Sequence, residues 1–111
     1  MIYAITSKGE NKESPVDVHF ARCSFYALFD SEDSSLRFIE NPFKNVPEKA
    51  GTLAVKFLND KGVEIVISCE FGEKVKNFFN SMNMGMIILD SIDKSVEEIV
   101  KILKNKHNLN K

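Results

Sequence analysis

The sequence lacks tryptophan, and no apolar run approaches the ~20 residues that span a bilayer. It lacks an excess of charge of either sign: 15 Lys and Arg stand against 16 Asp and Glu, a formal net charge of -1. That balance excludes the overall basic footprint of a nucleic-acid binder. Cysteine is scarce, with Cys23 and Cys69 only and no Cys-x-x-Cys pair, so the spacing of a zinc finger is absent. Two such residues read as free thiols rather than a structural disulfide. The start, Met1-Ile2-Tyr3-Ala4-Ile5, is too short for a signal peptide and has no basic lead. The expectation is a soluble, cytoplasmic protein whose partners include neither membrane nor nucleic acid.

What is present is enough to build one core. The 111 residues are 43% hydrophobic, too apolar for a disordered chain, and nine phenylalanines supply core volume. Residues 1–103 read as a single domain. Residues 104–111 are rich in Lys and Asn and read as a polar C-terminal tail that frays, with His107 inside it.

Ile2 to Ile5 reads as a short buried strand, followed by a long polar loop over residues 7–19. Cys23 to Phe29 reads as a central strand, Asp30 to Ser35 as a turn, and Leu36 to Glu40 as its hairpin partner. Pro47 suits the first turn of a helix, and Ala50, Leu53, Ala54, Phe57 and Leu58 form its apolar stripe. Gly62 is placed to cap that helix in a left-handed conformation. Val63 to Ile67 is rich in β-branched residues and reads as a strand. Gly72 opens a second helix with Val75, Phe78, Phe79 and Met82 on one face, and Gly85 to Leu89 is the last strand. Ser95 and Glu98 match a capping box, and Val96, Ile99, Val100 and Leu103 give the third helix its buried face.

The order is β-β-β-α-β-α-β-α. The first three strands make an antiparallel meander, and right-handed helical crossovers place the next two beyond the first. The fold class is therefore α/β: a three-layer, five-stranded mixed sheet of order 3-2-1-4-5 with helices on both faces. This is the ribonuclease H-like arrangement.

In such sheets ligands gather at the carboxyl ends of the parallel strands. The loop leaving the first strand and the end of the fourth, Ser68-Cys69, share that rim. His19, Cys23 and Cys69 are expected there, and imidazole and thiolate together suit zinc, copper or iron–sulfur species. The bland reading of a Cys beside a strand is a small buried hydrophobe. Gly72 starts a helix directly after the fourth strand, where free N–H groups attract anions, and Lys74 and Arg22 add positive charge. Every βα unit offers that much. Met82, Met84 and Met86 straddle a helix end and a strand, which favours core packing over soft-metal ligation. Ribonuclease H-like nucleases need several carboxylates to hold two metals. The first strand, Ile2 to Thr6, has no acid, and Asp90 alone does not suffice. A Cys–His hydrolase lacks a recognisable orienting residue and oxyanion motif. The chain is not expected to be an enzyme.

Ser14-Pro15-Val16-Asp17-Val18-His19-Phe20-Ala21-Arg22-Cys23, followed by an aromatic strand, resembles the signature of the dinitrogenase iron–molybdenum cofactor biosynthesis family. Glu40-Asn41-Pro42, Ala50-Gly51, Asp60 to Ile67 and Ser95 to Glu98 resemble its later landmarks in order. The resemblance implies a small carrier or chaperone that binds an iron–sulfur or iron–molybdenum-type cluster and passes it between assembly and acceptor proteins. His19, Cys23 and Cys69 would be the metal ligands, with Arg22, Gly72 and Lys74 binding the rest of the cofactor. Ala21 replaces a usual Gly, Glu48-Lys49 stands where small glycines are frequent, and Cys69 replaces a frequent Gly. The alternative is a non-metal module that binds a protein or a small anion on the same rim.

Overall fold

The structure is a computed structural model that describes residues 1–108. Its elements are β1 (Ile2–Ser7), β2 (Phe25–Asp30), β3 (Ser35–Glu40), α1 (Ala50–Asp60), β4 (Val63–Ser68), α2 (Glu73–Ser81), β5 (Gly85–Ile88) and α3 (Val96–Lys106). The five strands form one sheet of order β3-β2-β1-β4-β5. β1 pairs antiparallel with β2 and parallel with β4. β2 and β3 are antiparallel, and β4 and β5 are parallel. This is the expected topology.

Side chains alternate between the sheet's two faces, so each strand contributes to two cores. On one face Ala4, Tyr26, Leu28 and Val66 join Ala54, Val55 and Leu58 of α1 and Val75 and Phe79 of α2. On the other, Tyr3, Ile5, Ala27, Phe29 and Ile67 join Val96, Ile99, Val100 and Leu103 of α3. Met84 is buried in the first core, and Met82 and Met86 pack against it, which is the packing role expected of them. Gly62 holds φ 83 after α1, a conformation in which a Cβ is strained, and its N–H bonds the carbonyl of Asn59.

Several boundaries differ from expectation, each for a local reason. Pro47 lies ahead of α1 rather than in its first turn, and the N-cap is Lys49. Asn41 commits the intervening chain to a turn. Its Oδ1 accepts from the Phe43 N–H at 3.0 Å, and its Nδ2 donates to the carbonyls of Ala21 and Cys23, each at 2.9 Å. The same contact withdraws the Cys23 carbonyl from the ladder, so β2 begins at Phe25 rather than Cys23. β5 ends at Ile88, one residue early. The expected tail at Lys104 is helical as far as Lys106, and His107 is the C-cap. The His107 ring stands edge-on to Tyr3, and its Nε2 shares a 2.6 Å hydrogen bond with the Tyr3 hydroxyl. Lys104 and Lys106 in the last turn also suit the negative end of the helix. The remainder of that expected tail, 109–111, lies outside the described residues.

Candidate functional site

The long segment between β1 and β2 is a strap across the carboxyl ends of β1 and β4. The Asp17 N–H donates to the Thr6 carbonyl at 2.9 Å. The Glu70 N–H donates to Val18 O at 2.8 Å, and the Phe20 N–H returns to Glu70 O at 3.1 Å. Underneath, the buried hydroxyls of Thr6 and Ser68 lie 2.9 Å apart, and Thr6 Oγ1 donates to the Asp17 carbonyl at 2.6 Å. Among the described residues no buried side-chain nitrogen or oxygen lacks a hydrogen-bond partner, which helps an irregular segment sit on the end of a buried sheet.

Beside the strap opens a cleft of about 1220 Å³. One wall is the strap from His19 to Arg22, and a second is the segment Cys69 to Lys76, which includes the start of α2. The third is Glu48 to Thr52, the start of α1. Phe20 stacks on Phe71 with centroids 5.3 Å apart, and both rings meet Phe79, so part of the lining is aromatic.

The two helices begin in this cleft without a side-chain cap. Neither Lys49 nor Gly72, the two N-caps, supplies a side-chain hydrogen bond. α1 has no acidic residue in its first turn. Each start carries a positive partial charge from the helix dipole; Lys49 and Lys74 add to it, while Glu48 beside the start of α1 and Glu73 in the first turn of α2 offset part of it. The starts are held close by Gly51, where an added Cβ would stand 3.3 Å from Val75 Cγ2. Gly72 faces open space, with nothing within 4 Å of a Cβ built on it.

Five of the six residues singled out from sequence line the cleft: His19, Arg22, Cys69, Gly72 and Lys74. Arg22 is turned towards its own rim, where Nη1 donates to the carbonyls of Lys44 and Val46. His19 is exposed, and its Nδ1 lies 3.2 Å from Glu70 Oε1. Cys69 is half-buried, and its Sγ donates to the Ser91 carbonyl at 3.4 Å. Its thiol is pushed up, first by burial and then by the carboxylates of Glu70, Asp17 and Asp90.

Cys23 is the correction. It is 0% exposed, lies in the core with Phe20 and Tyr26, and is not part of the cleft lining. Its Sγ donates to Phe20 O at 3.5 Å, and burial pushes the thiol up to about 12. The rim placement assumed a strand starting at Cys23. The Asn41 contacts instead hold the chain there in a turn that aims the thiol inward. Among the described residues no group of three or more His, Cys, Asp and Glu stands together so as to hold a metal ion. Sequence reasoning missed Glu70, and it met Lys49 and Gly51 only through the family resemblance, not as site residues. The signal for Glu70 was its position next to Cys69, at the end of β4 on the same rim.

The comparisons with known proteins agree with this architecture. No curated protein matches the sequence. Among solved structures, the apo form of the orange protein from Desulfovibrio gigas superposes with a TM-score of 0.86. It shares 18% identity, over 96% of this chain and 88% of that one. An NMR structure of a NifB-like Thermotoga protein, assigned to the DUF35 family, gives a TM-score of 0.79 at 23% identity, over 96% and 89%. Identities this low establish the fold. No helix among the described residues is long and apolar enough to cross a membrane. The model of the family described as dinitrogenase iron-molybdenum cofactor matches residues 1–106, nearly the whole sequence, and the chain therefore belongs to that family.

Proposed function

We propose that this protein is a small carrier that holds an anionic iron–sulfur or iron–molybdenum-type cluster as cargo in the cleft and passes it from an assembly protein to an acceptor. The observation that carries the reading is the convergence of two uncapped helix starts, Lys49 and Lys74 on one cleft that also presents an imidazole and a thiol. A lysine at a helix N-terminus is disfavoured by the dipole, so Lys49 and Lys74 are placed against it even with Glu48 and Glu73 beside them. A bound anion reverses the sign of that interaction.

The residues fit a loosely held cargo better than a resident metal. His19 and Cys69 offer two soft donors and none of the described residues joins them as a third, so ligation remains exchangeable. Charge and backbone N–H groups supply the rest of the hold. Carrying needs reversible ligation and no bond-making on a substrate, so catalysis is not required.

The test is anaerobic reconstitution with iron and sulfide, read by visible absorption and by elemental analysis for iron, molybdenum and zinc. Stoichiometric iron with a charge-transfer band is expected for the natural sequence. His19→Ala and a Lys49→Ala, Lys74→Ala double variant should each lose most of it, whereas Cys23→Ala should keep it. Equal retention by His19→Ala overturns the ligand assignment. The lack of a third donor favours a second reading, a module for a small anion without metal. Molybdate or phosphate binding that survives both His19→Ala and Cys69→Ser, with no iron bound by any variant, selects it.

A further inference from the structure

We propose that Glu70 is a positioning residue for His19, fixing its imidazole with the hydrogen on Nδ1 and Nε2 as the nitrogen that ligates. What Nε2 binds rests on the carrier reading above, whereas the tautomer does not.

The argument starts from the backbone. Val18 O accepts from the Glu70 N–H at 2.8 Å, and Glu70 O accepts from the Phe20 N–H at 3.1 Å. These two bonds straddle His19 and make His19 and Glu70 a parallel bridge pair. A third bond, from the His19 N–H to Asp17 Oδ1 at 3.1 Å, fixes the strap just before the ring. Two residues 51 positions apart are thereby held side by side, with both side chains on the cleft. Their meeting at 3.2 Å is a product of that register.

The chemistry follows from the partner. An ionised carboxylate only accepts hydrogen bonds, so the ring nitrogen facing it carries the hydrogen. In a neutral imidazole the other nitrogen, Nε2, then keeps the lone pair. Nε2 is also the ring nitrogen farther from the backbone, which suits a donor that must reach cargo in a wide cleft. A carboxylate behind a ligating imidazole raises its basicity and limits its rotation. Both side chains are largely exposed, at 58% and 66%, so the backbone bridge rather than packing maintains the pair.

The experiment uses the full chain labelled with ¹⁵N at histidine, with long-range ¹H–¹⁵N correlations recorded above the pH at which the imidazoles titrate. The natural sequence should show His19 protonated at Nδ1. Glu70→Ala should move it towards the Nε2-protonated form, and Glu70→Gln, whose amide oxygen still accepts, should largely keep the original tautomer. His107 reports on its own contact with Tyr3 and should not move, which separates a local effect from a loss of fold. In parallel, iron loss to a chelator from reconstituted protein should be roughly 10–100-fold faster for Glu70→Ala than for the natural sequence. An Nε2-protonated His19 in the natural sequence, or a tautomer indifferent to Glu70→Ala, overturns the proposal. So does a shifted tautomer with unchanged iron loss. If the tautomer shifts as expected but the natural sequence binds no iron, the positioning of the ring stands and the carrier reading falls.

Discussion

Lys49 holds φ 64 and ψ 21, a left-handed conformation that a side chain with a Cβ enters only at a cost of ~1–2 kcal/mol. It does so at an uncapped helix start, beside the cleft, with its charge opposed by the dipole. Three unfavourable features at one residue point to a role outside stability. Lys49→Gly should therefore raise stability by about 1 kcal/mol in urea unfolding, because glycine accepts this φ. The same variant should retain less reconstituted cluster. A parallel rise in stability and retention would separate Lys49 from binding. None of this was legible in the sequence, where Lys49 stood out only as a charged residue in place of a usual glycine. Cys23 makes the opposite case, a residue of soft chemistry that the fold uses as a hydrophobe. Its thiol keeps its proton to about pH 12 in the folded protein but to an ordinary 9.0 when unfolded. The unfolded state thus loses the proton first. The stability that burial of the neutral thiol supports is complete below pH 9 and declines as pH rises through 9 towards 12. The loss is on the order of 4 kcal/mol for such a shift. Buried Tyr26 is pushed up as well, so Cys23→Ala should flatten this alkaline decline in part, as read from urea midpoints between pH 8 and 12.

The three helices are terminated differently. α3 has a complete capping box, in which Ser95 Oγ accepts from the Glu98 N–H and Glu98 Oε1 accepts from the Ser95 N–H. Two further N–H groups of its first turn, on Val96 and Glu97, bond the carbonyls of Ser14 and Lys12. α1 and α2, the helices at the cleft, have no side-chain cap. Capping is complete where no ligand is expected and withheld where one is. The box was legible because it is a four-residue pattern. The strap's contribution was not, because carbonyls carry no residue signature. Helix ends were the hardest to place, and His107 shows why. Its neighbours are polar, but one aromatic partner 104 positions away extends the helix by a turn. His107→Ala should lower stability by about 1–3 kcal/mol, since it leaves the hydroxyl of a buried tyrosine without its partner. An unchanged urea midpoint would remove the last turn of α3 from the cooperative fold.

At the scale of the whole molecule, strand order and helix placement were readable because each strand is a short apolar run and each crossover holds an amphipathic helix. Handedness rules then leave few sheets to choose from. The meeting of His19 and Cys69 on one rim came from that topology alone. Cys23 escaped because its placement depends on a side chain 18 residues away. The strap adds a consequence in time. The strap's anchor at Glu70, just beyond β4, lies in mid-sequence, and the Lys94 carbonyl that accepts from the Val16 N–H comes later still. Contacts this distant along the chain close late in folding. His19 is synthesised early but is set in place only after residues 68–70 and 94–97 have joined the sheet and α3. A nascent or partly folded chain offers no assembled cleft, so the cleft belongs to the finished molecule alone.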